Sequence, residues 1–249
     1  MAIVEGMAAL PADAAVFLDF DGTLVEIAPT PDSIAIPPGL VPLLRRLVDR
    51  FDGAVALVSG RQIADLDRWL APLTLPAAGL HGLERRLPDG TLERTATPPW
   101  IAGLVPEMAR FARAHPGVHL EDKLLSLSLH YRGAPEAAVA VRQFIDACAA
   151  QLDREAAVQL GKMVVELRPA GRDKGTAIAA FMAAAPFQGR RPVFVGDDLT
   201  DEHGFEAVNR LGGLSIRVGP PGETEAKLAL PSVAAVLEWL AQSFPSPGT

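Results

Sequence analysis

Ala14-Ala15-Val16-Phe17-Leu18-Asp19-Phe20-Asp21-Gly22-Thr23 is an apolar run that stops at two acidic residues and a glycine. Its apolar residues do not alternate with polar ones. That is the mark of a strand buried on both faces, as in a parallel sheet. Asp-Gly then makes a tight turn. Residues two apart on a strand share a face, so the Asp19 and Asp21 carboxylates emerge together where the strand ends. Open parallel sheets bind ligands beyond the carboxyl ends of their strands. One aspartate at that place would be read as a turn former and nothing more. Two on one side of a buried strand end are read as chemistry.

The sequence on either side has the grammar of the same fold. Leu40, Leu43, Leu44, Leu47 and Phe51 recur at helical spacing, and Ala54–Val58 is a second buried strand closed by Ser59-Gly60. Ile63, Leu66 and Leu70 form another helical stripe, and Leu75–Leu80 reads as a third strand. This βαβαβ alternation predicts parallel pairing with right-handed crossovers. It returns near the C-terminus. Asp173 caps a helix carrying Ile178, Phe181 and Met182, and Pro192–Val195 is a strand. A helix (Glu202–Leu211), a strand (Leu214–Val218) and an amphipathic helix (Ser232–Phe244) follow.

The middle differs. Helix Ile101–Ala114 precedes strands His119–Glu121 and Leu125–Tyr131; helix Pro135–Leu152 precedes Ala156–Leu160 and Met163–Leu167, with a turn at Gly161-Lys162. The expected architecture is α/β: a doubly wound, Rossmann-like parallel core from residues 1–99 and 169–249, interrupted by an α+β insertion at 100–168.

Composition limits the function. Apolar residues are 49% of the 249, enough for a sizeable core. The formal charge is 23 − 30 = −7, which argues against a nucleic-acid surface. An anionic small substrate then needs a local pocket of cations. Cys148 is the only cysteine, so neither an internal disulfide nor a thiolate zinc cluster is available; it reads as a small helical core residue. A reducing, cytoplasmic setting fits. The N-terminal MAIVEGMAAL lacks the basic region of a signal peptide. The uncharged runs Trp69–Leu83 and Gly175–Gly189 contain prolines and are too short to span a bilayer, so no membrane partner is expected.

Three further motifs stand at strand or helix ends. Val58-Ser59-Gly60-Arg61 places a hydroxyl and backbone N–H groups at a helix start, where anions bind and glycine lets a phosphate approach. The bland alternative is an ordinary serine cap. Arg172-Asp173-Lys174-Gly175 sets a cation at the positive end of a helix, which calls for a counter-charge. The alternative is a solvated lysine. Gly196-Asp197-Asp198-Leu199-Thr200-Asp201-Glu202, with Asp19 and Asp21, crowds carboxylates at one sheet edge. Such a cluster repels itself unless a cation sits in it, and oxygen donors favour a hard ion such as Mg²⁺. Asp201 or Thr200 could serve only as a cap.

Together these motifs resemble the four that define the haloacid dehalogenase-like phosphatases: Asp19-Phe20-Asp21-Gly22-Thr23, Ser59, Lys174 and Gly196-Asp197-Asp198. The resemblance spans nearly the whole chain and implies an inserted cap of the αββαββ type. Within that superfamily the chain resembles the trehalose-6-phosphate phosphatases. The residues that carry this are the extended Gly196–Glu202 motif, Gly79-Leu80-His81-Gly82, Glu121-Asp122-Lys123, Leu129-His130-Tyr131-Arg132 and Val164-Val165-Glu166-Leu167-Arg168-Pro169.

The resemblance implies Asp19 as nucleophile and Asp21 as general acid and base. It implies Mg²⁺ held by Asp19, the Asp21 carbonyl and Asp197, and a phosphate held by Ser59, Gly60 and Lys174. Asp198 is expected to orient Lys174 or a metal-bound water, with Asp201 in support. Sugar contacts are expected from Arg61, His81, Glu121, Lys123, His130, Arg132, Lys162 and Glu166. Lys162 and Glu166, four apart on an expected strand, would share a face, as would Glu121 and Lys123. Exposed strand charge is the alternative for each pair.

The implied substrate is a sugar phosphate, trehalose 6-phosphate, with a functional link to a trehalose-phosphate synthase. Other readings stand beside it: a sucrose-phosphate or mannosyl-phosphoglycerate phosphatase, a phosphosugar mutase, or an inactive regulatory phosphatase-like domain.

Overall fold

The computed structural model describes residues 9–28, 30 and 33–244, and the backbone of Ala2 and Ile3. Most of the stretch read for a signal peptide lies outside the described residues. The first elements are β1 (Ala2–Ile3), β2 (Ala14–Leu18), α1 (Leu40–Arg50), β3 (Val55–Val58), α2 (Ile63–Leu70), β4 (Ala77–Gly79), β5 (Glu84–Arg86) and β6 (Leu92–Arg94). Then come α3 (Trp100–Ala114), β7 (His119–Asp122), β8 (Leu127–His130), α4 (Ala138–Gln151), β9 (Ala156–Gly161) and β10 (Val164–Pro169). The last are α5 (Lys174–Met182), β11 (Arg191–Gly196), α6 (Glu202–Arg210), β12 (Leu214–Val218), β13 (Leu228–Leu230) and α7 (Val233–Gln242). The chain divides into two compact units, Met1–Glu93 with Asp173–Thr249, and Arg94–Arg172.

The first unit is built on a nine-stranded sheet in the order β1-β13-β12-β11-β2-β3-β4-β5-β6. Pairing is parallel from β1 through β4. β5 turns back antiparallel to β4. From β2 the chain steps outward through β3 and β4, then returns to β2's other side and steps away through β11, β12 and β13. The order therefore reverses between β2 and β11, and that is where such sheets leave a crevice. All of β2 and β3 is buried, as their unbroken apolar runs require. Phe17 stacks on Phe187 with ring centroids 5.4 Å apart, and Phe181 lies 5.2 Å from Phe187. Each fully buried aromatic of this kind stabilises by roughly 1.5–3 kcal/mol.

Helix starts follow local chemistry. Asp173 accepts from Thr176 N and Thr176 returns the bond, a capping box that starts α5. Ser232 caps α7 through Ala235 N.

The second unit has its own core and an antiparallel sheet in the order β7-β8-β10-β9. Leu127, Leu129, Val165 and Leu167 face α3 and α4, against Ile101, Met108, Val141, Ile145 and Cys148. Alternation sends the intervening residues to the other face. There the register sets Glu121 opposite Ser128, Ser128 opposite Glu166, and Glu166 opposite Gln159.

Three local expectations shift. The hairpin turn between β9 and β10 falls at Lys162-Met163, with Met163 at φ 63, because Gly161 still pairs with Val164. The strand expected over Leu75–Leu80 is only Ala77–Gly79, and Leu80 leaves it at φ 50. A 3-10 turn at Pro135–Ala137 precedes α4, where a single helix was expected.

Candidate active site

β2 and β11 run side by side with Leu18 opposite Val195, so the residues after them emerge together. Asp19 follows β2 and is 4% exposed. Lys174 opens α5 and is 2% exposed. Its Nζ donates to Asp19 Oδ1 at 2.9 Å and to Asp201 Oδ1 at 2.6 Å. These carboxylates supply the counter-charge that a cation at a helix N-terminus requires. Burial would pull the Lys174 ammonium down, but the charges of Asp19 and Asp201 and their hydrogen bonds outweigh it and hold it above its ordinary value. Asp19 is pushed well above the usual carboxylate range, first by burial; Lys174 opposes this, while Asp201 and Asp197 add to it.

Asp201 has no exposed surface, and its Oδ2 accepts from Asp197 N at 3.0 Å and Asp198 N at 2.9 Å. Asp19, Asp197 and Asp201 each offer an oxygen within 4.8 Å of the others, and all three are buried. Buried carboxylates gathered so closely are costly unless a cation joins them. An all-oxygen set suits a hard divalent ion. Gly22 has φ +76, and a Cβ there would collide with the Asp197 carboxylate, so no other residue fits.

The Asp21 carboxylate turns elsewhere. Arg61 grips it in a fork, Nε to Oδ2 at 2.7 Å and Nη2 to Oδ1 at 2.7 Å. Ser59 Oγ accepts from Arg61 N at 3.2 Å. His81 closes over Gly60 so tightly that a Cβ on Gly60 would lie 2.7 Å from the ring's Cε1 and Nε2. Loop 59–62, between β3 and α2, thus carries the hydroxyl, the bare backbone and the guanidinium.

In the second unit the polar sheet face carries a charge cluster. Lys123 Nζ lies 3.1 Å from Glu166 Oε2 and 3.8 Å from Glu121 Oε2. His130 Nε2 lies 2.7 Å from Glu121 Oε2. Glu166 is 3% exposed. Burial would raise the Glu121 carboxyl, but the His130 hydrogen bond and the Lys123 and His130 charges hold it below its ordinary value.

The Trehalose-phosphatase family profile matches residues 17–233. The chain belongs to the trehalose-phosphatase family. It is 45% identical over 223 residues to a probable trehalose-phosphate phosphatase of Sinorhizobium fredii, covering 89% of this chain and 84% of that one. It is 44% identical over 232 residues to the trehalose-6-phosphate phosphatase of Escherichia coli K12, covering 93% and 86%. Its fold is similar to the C-terminal domain of C. albicans trehalose-6-phosphate phosphatase, with TM-score 0.83 and 22% identity over 93% of this chain and 92% of that one.

In this member of the trehalose-phosphatase family, the residues chosen from the core motifs meet at one edge of the larger sheet. Two assignments change hands. Asp198 was expected to orient Lys174 or a metal-bound water; its Oδ1 accepts from Leu199 N at 2.8 Å, and it is Asp201 that holds the lysine. Asp201, expected in support or as a cap, takes that place. Lys162 lies in the hairpin turn, so it shares no strand face with Glu166. Arg132 follows β8 and is exposed. One buried acid beside these loops has no counterpart among the sequence motifs. Glu84, 2% exposed, accepts from Ile63 N at 2.5 Å at the start of α2. An acid in the charge-rich run Glu84-Arg85-Arg86 carries no sequence signal of burial.

Proposed function

We propose that this chain hydrolyses trehalose 6-phosphate to trehalose and inorganic phosphate through an aspartyl-phosphate on Asp19. The observation that carries the reading is the buried corner of Asp19, Lys174 and Asp197, with Asp21 held beside it by Arg61. An Asp19 oxygen attacks phosphorus and the ester P–O bond breaks. Asp21 gives its proton to the leaving sugar oxygen. Water then attacks the aspartyl-phosphate, Asp21 takes the water's proton, and Asp19 is released.

Lys174 aims the Asp19 carboxylate and, with Ser59 and the Gly60 N–H, holds phosphoryl oxygens as charge shifts onto them. Asp19 and Asp197, with the Asp21 carbonyl, would hold Mg²⁺. Asp201 suits that task less, since its oxygens already accept three hydrogen bonds. When bound, the ion offsets the repulsion between an anionic nucleophile and an anionic phosphate.

The second unit selects the sugar. Glu121, Lys123 and Glu166 present donors and acceptors side by side, which suits a neutral polyhydroxylated disaccharide whose hydroxyls do both. His130 stands with this group, 2.7 Å from Glu121 Oε2. A phosphate-release screen tests the reading. Trehalose 6-phosphate should be the best of a set including sucrose 6-phosphate and mannosyl-3-phosphoglycerate, and chelator should stop the reaction. Equal rates on all three would remove the trehalose assignment.

A further inference from the structure

The phosphate-binding loop has a side-chain bond of its own, Arg61 N to Ser59 Oγ, and is braced from outside as well. Gln62, at the N-cap of α2, makes no side-chain cap bond, so the local sequence leaves the helix start without an acceptor. Glu84 supplies it from β5, in a buried hydrogen bond to Ile63 N. Between β4 and β5 the chain makes a left-handed turn, with Leu80 at φ 50 and His81 at φ 55. Side-chain-bearing residues adopt that conformation only where the surroundings enforce it. Here the turn's own N–H groups are committed to the loop: Leu80 N donates to Arg61 O at 2.9 Å and His81 N to Ser59 O at 3.0 Å. The turn also abuts the start of α5, since a Cβ on Gly82 would lie 2.9 Å from Asp173 O. One short segment therefore braces both the loop that carries Arg61 and the helix that carries Lys174.

We propose that Glu84 is a positioning residue of this site. Its carboxylate fixes the start of α2 and thereby sets Arg61 on Asp21 and Ser59 on the phosphate. The proposal rests on the phosphatase reading above. A displaced loop would handicap every phosphate ester alike, because the loop meets the phosphate and not the sugar.

The test compares wild type, Glu84→Ala and Glu84→Gln on trehalose 6-phosphate and p-nitrophenyl phosphate, with inhibition by inorganic phosphate and Tm alongside. Glu84→Ala should lose kcat on both esters by about 10–100-fold, the scale set by small misplacements of catalytic groups. Its Ki for inorganic phosphate should rise as well. Glu84→Gln, which still offers an oxygen to Ile63 N, should recover most of the rate. If Glu84→Ala does not fold, Glu84→Asp carries the test: its carboxylate is one methylene short and should show the same loss on both esters. A folded Glu84→Ala or Glu84→Asp with wild-type kcat and wild-type phosphate inhibition overturns this proposal alone, leaving Glu84 as a helix cap. A wild type that releases phosphate from neither ester overturns the phosphatase reading and this one with it.

Discussion

Asp201→Ala should damage the protein far more than Asp198→Ala, although both aspartates stand in the same motif. Asp201 has no exposed surface and holds Lys174 Nζ, Asp197 N and Asp198 N. Removing it breaks a buried ion pair and strips two backbone donors of their acceptor. Breaking such a pair typically costs about 3–5 kcal/mol. Some of this is returned, because Asp201 also repels Asp19. The lower end, about 3 kcal/mol, is therefore expected. For a chain of this size each kcal/mol moves Tm by roughly 2–4 °C, so the fall should be about 6–12 °C. Asp198 caps the short turn that follows it, accepting from backbone N–H groups at a less buried position, and its loss should cost about 0.5–1.5 kcal/mol. Lys174 would keep Asp19 alone as partner, so kcat of Asp201→Ala should drop on the order of 10–100-fold. The assay is thermal unfolding of both variants in chelator and in Mg²⁺, with turnover measured below both melting points. A larger loss in Asp198→Ala, in either Tm or kcat, would refute the assignment of Lys174 to Asp201.

Other outcomes follow from the same geometry. Mg²⁺ should raise the Tm of the wild type, and Asp197→Ala should abolish that rise and shift the Mg²⁺ titration of activity to higher concentration; an unchanged titration would mean the ion sits elsewhere. Glu166→Ala should lower kcat/KM for trehalose 6-phosphate by about 10–100-fold, the value of a charged hydrogen bond to a buried hydroxyl, and leave p-nitrophenyl phosphate unaffected. Equal losses on both substrates would make Glu166 part of the chemical site. The Glu121 carboxyl is held below its ordinary value, so its stabilising effect is present above the unfolded-state pKa and is lost as pH falls through the folded one. The Tm gap between wild type and Glu121→Gln should accordingly be widest near neutral pH and close in acid; a constant gap contradicts the pairing.

The parallel core was legible because buried strands and amphipathic helices leave unmistakable periods. Strands Ala14–Leu18 and Leu214–Val218 appear where their apolar runs stand. The β5–β6 hairpin was not legible, because its sequences Glu84-Arg85-Arg86 and Leu92-Glu93-Arg94 are mostly charged. Arg86 is nonetheless buried, tied in a fork to Asp67 and to Leu75 O, and only tertiary contacts make that possible. In the site, motif spacing identifies which aspartates gather but not which one takes the lysine. Asp198 and Asp201 are both acids at a helix start. Their roles divide only once α6 begins and turns Asp201 inward. The Arg61–Asp21 fork was equally hidden, because forty residues separate partners that parallel β2 and β3 bring together.

The proposed chemistry is Mg²⁺-dependent phosphate transfer to Asp19 from trehalose 6-phosphate. Its most direct measurement is phosphate release from that substrate by wild type and Asp19→Asn, each with Mg²⁺ and with chelator. Wild type with Mg²⁺ should turn over, chelator should abolish turnover, and folded Asp19→Asn should be inactive in both conditions, because an amide cannot form the acyl-phosphate. Appreciable Mg²⁺-dependent release by Asp19→Asn would contradict Asp19 as the nucleophile.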